Sequence, residues 1–210
     1  MFHSLCNRKS AELPLNAARP AAYNGTGVFF AVPFPAALRG TDRQKGRNMK
    51  KPVFTGSAAA IVTPFTDRGV DYDRLAAALD RQAEGGTAAV VVCGTTGEAA
   101  TLSEAERASI IEFTAVYTRS RMKVIAGIGG NDTLAAASAA RRAERLGADA
   151  LLLTTPYYNK ASSEGIVRHF AYVAEHSELP LIVYNVPGRT GVSCTPEHYA
   201  RLAEIPRING

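Results

Sequence analysis

From Val53 onward the chain repeats one pattern, a short apolar run followed by a longer stretch with helical spacing. The runs occupy residues 58–62, 88–93, 124–128, 148–153 and 181–184, and the markers Val90, Val124, Leu151 and Leu181 stand 34, 27 and 30 residues apart. That interval is the length of a strand plus a crossover helix. Runs that are apolar throughout, rather than alternating, suit parallel strands buried on both faces. Right-handed repeats of this kind fold into either an open doubly wound sheet or a closed barrel, and periodicity alone does not separate the two.

The stretches between runs carry their own start and stop signals. Asp71 is placed to cap a helix bearing Leu75 and Leu79 that stops near Gly85-Gly86, and Ser103 with Glu106 forms a capping box ahead of Ile110, Ile111 and Phe113. A third helix is expected from about Thr133 to Leu146, ending on Gly147. A fourth, after Ser163, turns Ile166, Phe170 and Val173 inward, with Pro180 marking the start of the next strand.

Polar motifs follow the apolar runs. Thr63-Pro64, Gly94-Thr95-Thr96-Gly97-Glu98, Gly127-Ile128-Gly129-Gly130-Asn131, Thr154-Thr155-Pro156-Tyr157-Tyr158-Asn159 and Tyr184-Asn185-Val186-Pro187-Gly188-Arg189-Thr190-Gly191 all fall at C-terminal strand ends. A barrel gathers them around one mouth, whereas an open sheet spreads them along an edge, so the motifs favour the barrel. The Gly94 motif offers hydroxyls and closely spaced amides that can hold a small carboxylate, although a plain strand-to-helix turn uses the same residues. Tyrosines at the mouth can relay a proton to and from a bound ligand, and Arg189 can grip a second carboxylate in bidentate fashion.

Composition excludes several function classes. Residues 1–49 carry seven Lys/Arg against Glu12 and Asp42, whereas residues 50–210 carry seventeen of each sign, so the net charge of +5 resides in the N-terminal segment. A basic tail without periodicity or interleaved aromatics is no argument for nucleic acid. Cys6, Cys93 and Cys194 have neither metal-ligand spacing nor the density of a secreted scaffold, which fits a reducing, cytoplasmic setting. Cys93 lies inside an apolar run and reads as packing. His169, His176 and His198 are not spaced with carboxylates as metal ligands, and neither a dinucleotide fingerprint nor a phosphate-binding loop is present, so no metal and no cofactor is expected. The longest apolar candidate, residues 28–38, is broken by Pro33 and Pro35, so no membrane span is expected. Residues 1–48 are expected to be a basic unstructured extension outside the fold, with Met49 as the natural start; a transit peptide would be richer in Ser and form an amphipathic helix.

As a set, the motifs from about Phe54 onward resemble dihydrodipicolinate synthase, of the pyruvate-dependent class I aldolase family. The resemblance implies a (β/α)8 barrel that is C-terminally incomplete here, with residues 49–210 forming the first five βα units and the start of the sixth strand. It implies condensation of pyruvate with aspartate-4-semialdehyde to 4-hydroxy-tetrahydrodipicolinate through a lysine Schiff base, in lysine and diaminopimelate synthesis. Thr95, Tyr158 and Tyr184 match the family's proton-relay triad, with Tyr158 reaching a neighbouring subunit's site in a dimer of tight dimers. Thr95, Thr96 and Gly97 match the pyruvate-carboxylate cradle, and Arg189 the clamp on the semialdehyde. N-acetylneuraminate lyase shares the imine chemistry, but carries Ser-Thr in place of Thr95-Thr96 and lacks the arginine.

Two departures from the family pattern stand out. The imine-forming lysine belongs to a Gly-Ile-Lys pattern of which only Gly210 is present, so the chain is expected not to turn over, and a non-catalytic barrel fragment is the reading from a different class. The lysine-effector cleft of the family keeps Asn131 and Tyr157, but its acidic position is Ala135 and two further positions are Glu104 and Arg107, which implies weak feedback by lysine.

Overall fold

The structure, a computed structural model, describes residues 27–29 and 50–210. In chain order the elements are β1 (Gly27–Phe29), β2 (Ala58–Ala60), the short hairpin β3 (Phe65–Thr66) and β4 (Gly69–Val70), α1 (Tyr72–Glu84), β5 (Ala89–Val92), α2 (Glu104–Thr118), a 3-10 turn (Arg119–Arg121), β6 (Lys123–Gly127), α3 (Thr133–Arg145), β7 (Ala150–Thr154), α4 (Ser163–Glu175), β8 (Leu181–Tyr184), α5 (Pro187–Thr190) and α6 (Pro196–Ala203). The main sheet runs β1-β2-β5-β6-β7-β8, with every pair parallel except β1 against β2. This is the expected α/β architecture, a parallel sheet curled as half of a barrel. Beyond α6 the chain returns beside β8, where the Leu181 amide donates to Arg207 O and the Val183 amide to Gly210 O.

Residue parity explains the curl. One face, with Ala59, Val90, Val124, Leu151 and Leu181, packs under the helices, whose buried residues include Leu79, Ile110, Ala140 and Phe170. Each large apolar side chain sealed there stabilises the fold by about 1.5–3 kcal/mol. The other face carries Ala58, Ala60, Ala89, Val91, Ile125 and Ala150, with Leu152 and Ile182 half-buried beside them. Small residues on the inner face let the strands bend around a narrow interior.

The helix starts follow the capping chemistry. Asp71 accepts from the Arg74 amide at 3.0 Å, and Asp132 from the Leu134 and Ala135 amides. Ser103 and Glu106 complete their box, the Glu106 carboxylate accepting from the Ser103 amide at 2.8 Å. Ser162, not Ser163, caps α4. Ser163 instead meets His198 of α6, at 2.6 Å from Nε2. Because His198 Nδ1 accepts from the Thr195 amide, Nε2 carries the proton and donates to the Ser163 hydroxyl. This contact fastens two helices and leaves the imidazole no free base with which to activate the serine.

The expectation that residues 1–48 stand outside the fold meets one exception, since Gly27–Phe29 pairs along the edge of β2. An unpaired strand edge accepts any extended segment that reaches it. The remainder of residues 1–49 lies outside the described residues. At Lys50 the ammonium donates to the carbonyls of Ala203, Ile205 and Ile208 at 2.7, 2.5 and 2.8 Å, tying the start of the barrel segment to the end of α6 and the chain that follows it. Among the described residues no helix is long and apolar enough to cross a membrane.

Candidate active site

The C-terminal strand ends open onto a cavity of about 370 Å³. Its wall includes Cys93, Gly94 and Thr95 after β5, Gly127 and Gly129 at the end of β6, Thr154 and Tyr157 from β7, and Tyr184, Val186, Arg189 and Thr190 from β8 onward. Four successive parallel strands therefore supply one site, as barrel topology dictates.

Local geometry shows why these sequences suit the position. The turn after β5 closes with the Glu98 amide donating to Thr95 O and the Ala99 amide to Gly94 O, and Cys93 and Glu98 adopt φ of 53° and 58°. Gly127 allows this turn to lie against β6, for a Cβ there would come within 2.0 Å of Cys93 O. Behind the wall the Thr63 hydroxyl donates to Gly97 O at 2.8 Å, and both residues are buried. After β8, Pro187 starts the single turn of α5 and Gly191, at φ 67°, ends it, which sets Arg189 at the rim; Asn185 Oδ1 accepts from the Cys194 amide and holds the following loop.

Thr95, Tyr184, Arg189 and Tyr157 thus meet on one wall. Thr96 and Gly97 do not line it, and Gly97 packs behind the turn. Tyr158 stands outside with its side chain 91% exposed at φ 70°, so any catalytic contact it makes is to something other than this cavity. Tyr157 lines this cavity, and Asn131 does not. The space of about 290 Å³ between α2 and α3 is lined by Glu104, Arg107, Ala135 and Arg142 among others, with Glu104 already paired to Arg142 at 3.0 Å.

Arg107 borders both spaces, and its guanidinium donates to Ala99 O, anchoring the turn that bears Thr95. The charged residues on the larger wall are Glu98, Arg107 and Arg189, an excess of one positive charge that suits an anionic ligand. Cys93 is packing, as expected, with its thiol pushed up to about 12 by burial. Of the lysines among the described residues, Lys50, Lys51, Lys123 and Lys160, none lines the cavity; Lys123 pairs with Asp149 at 2.6 Å at the opposite end of the sheet. In the sequence Thr154 stands only as the first residue of its motif, with no role of its own. Strand parity was the signal available, because Thr154 is directly in register with Tyr184.

The chain is similar to known proteins in both sequence and structure. Residues 53–210 match the Dihydrodipicolinate synthetase family. The chain is 46% identical over 160 residues to 4-hydroxy-tetrahydrodipicolinate synthase of Acetivibrio thermocellus, covering 76% of this chain and 55% of the relative. It is 51% identical over 156 residues to the enzyme of that name from Geotalea daltonii, covering 74% and 54%. The chloride-inhibited dihydrodipicolinate synthase of Acinetobacter baumannii, solved in complex with pyruvate, superposes with a TM-score of 0.69 at 49% identity, over 71% of this chain and 52% of that one. The chain spans about half the length of the curated relatives it matches. With the family match running through every strand that supplies the cavity, the chain belongs to the dihydrodipicolinate synthetase family.

Proposed function

We propose that the cavity is the substrate-binding part of a 4-hydroxy-tetrahydrodipicolinate synthase site, taking pyruvate and then aspartate-4-semialdehyde. The observation that carries this reading is the meeting of Thr95, Tyr184 and Arg189, from separate strand ends, on one wall with an excess of positive charge. In the complete reaction a lysine amine adds to the pyruvate ketone and expels water to give an imine, whose methyl carbon, after losing a proton, adds to the aldehyde carbon. The Thr95 turn holds the pyruvate carboxylate by oriented dipoles, the Tyr184 phenol moves protons at the carbinolamine oxygen, and Arg189 receives the carboxylate of the semialdehyde. Tyr158, exposed and apart from its own cavity, serves a second copy in an assembled oligomer.

The 210-residue chain binds but does not condense, because imine formation needs a desolvated lysine at the cavity and no lysine of the described residues is there. Pyruvate with borohydride tests this reading. The chain alone should yield no stoichiometric adduct, whereas co-expression with the C-terminal half of a relative should trap one on a lysine of that half. A stoichiometric adduct on Lys160 of the chain alone would overturn the assignment.

A further inference from the structure

The cavity wall contains a hydroxyl that the reading above leaves unused. Among the described residues, Thr154 Oγ1 is buried without a protein partner, and so is Nε of Arg107 on the same wall. The Arg107 guanidinium is nonetheless engaged, through its donation to Ala99 O. Thr154 Oγ1 has no such second contact.

Its position is set by β-sheet geometry. Thr154 ends β7 on the inner face, two residues beyond Leu152, and is in direct register with Tyr184 of β8, so their side chains stand side by side on the cavity wall. On the other flank is Gly129, where a Cβ would approach Thr154 Oγ1 to 2.7 Å. A glycine there leaves room for the hydroxyl, whose O–H bond rotates to suit a partner.

Burying a hydroxyl without a bond costs free energy, whereas valine would fill almost the same volume with no polar atom. An unsatisfied buried group beside a cavity therefore calls for a function that satisfies it. Thr155 Oγ1, likewise unpartnered, belongs to a fully buried residue away from the wall and carries no such argument.

We propose that Thr154 is a specificity-determining residue of the cavity, its hydroxyl turning to donate to an oxygen of a bound 2-oxo acid beside Tyr184. The inference rests on the proposed reading that this cavity takes pyruvate. It adds a donor to those of the Thr95 turn and Tyr184, and it favours ligands that carry an oxygen at this point over isosteres that carry a methyl group.

The test uses the full chain, titrated with sodium pyruvate and followed by amide chemical shifts, with thermal unfolding of the free protein measured in parallel. Thr154→Val should leave the melting temperature unchanged or raised while weakening pyruvate about fivefold, the size of one hydrogen bond. Thr154→Ser, which keeps the hydroxyl, should bind within twofold of the parent. If the parent binds saturably and Thr154→Val binds equally well, the role of Thr154 is refuted and the reading of the cavity stands. A lowered melting temperature with unchanged affinity also refutes it, by showing that the hydroxyl is structural. Absence of saturable binding by the parent chain overturns the reading of the cavity itself, and Thr154 with it.

Discussion

Single residues decide how closely the parts of the site approach. Gly127→Ala places a methyl carbon 2.0 Å from Cys93 O, and backbone cannot swing aside as a flexible side chain does. Overpacking of this kind costs about 1–3 kcal/mol, so the denaturation midpoint should fall accordingly; an unchanged midpoint would show that the turn is looser than its contacts indicate. His169 offers a second measurement. It is buried between α4 and α3, its Nδ1 2.9 Å from the Thr133 hydroxyl and its ring edge-on to Phe170, and burial lowers its pKa to about 4. In the unfolded chain the imidazole titrates near its ordinary 6.5, so between about pH 6.5 and 4 the unfolded state binds the extra proton and stability falls as pH falls. Comparison with His169→Gln should isolate this slope, which approaches 1.4 kcal/mol per pH unit at its steepest. Parallel pH profiles for the two proteins would show that the ring is not desolvated.

At the level of elements, the strands and helices were legible because periodicity and capping agree. Run 181–184 became β8 without change, Asp71 and Ser103 cap where they were placed, and α3 ends at Arg145, one residue short of the expected limit. The hairpin β3–β4 was not legible, since two-residue strands leave no period to detect. Nor was α6, whose His198 gave no sign in sequence that a tautomer would bind it to Ser163. The site followed the same division. Motifs announced themselves by composition, but Thr154 required knowing which strand neighbours which, a fact of register rather than of spacing. The cap of α2 gives a test at this scale. Ser103→Ala removes one partner of the reciprocal box and should cost about 1 kcal/mol, with faster hydrogen exchange at the Glu106 amide. An exchange rate unaffected by the substitution would assign that amide to another acceptor.

For the molecule as a whole, contacts distant in sequence matter most. Lys50 bridges 153 to 158 residues to the end of α6 and the chain that follows it, and the three carbonyls it serves are only partly shielded from solvent. Lys50→Met should therefore destabilise by about 1 kcal/mol, less than a fully buried cation of this kind would contribute, as urea unfolding can measure. No loss of stability would mean that water replaces the ammonium without cost. The exposed ring of Tyr158 has a further consequence, in the domain of chemical labelling. A phenol that projects almost wholly into water is the natural first target of tetranitromethane among the described tyrosines, and the adjacent Tyr157, 40% exposed, supplies an internal reference. If assembly carries Tyr158 into a second copy, its nitration should slow as protein concentration rises while Tyr157 changes less. Peptide mapping would show this directly, making one side chain a footprint of self-association; equal rates at all concentrations would leave the ring facing solvent in every state.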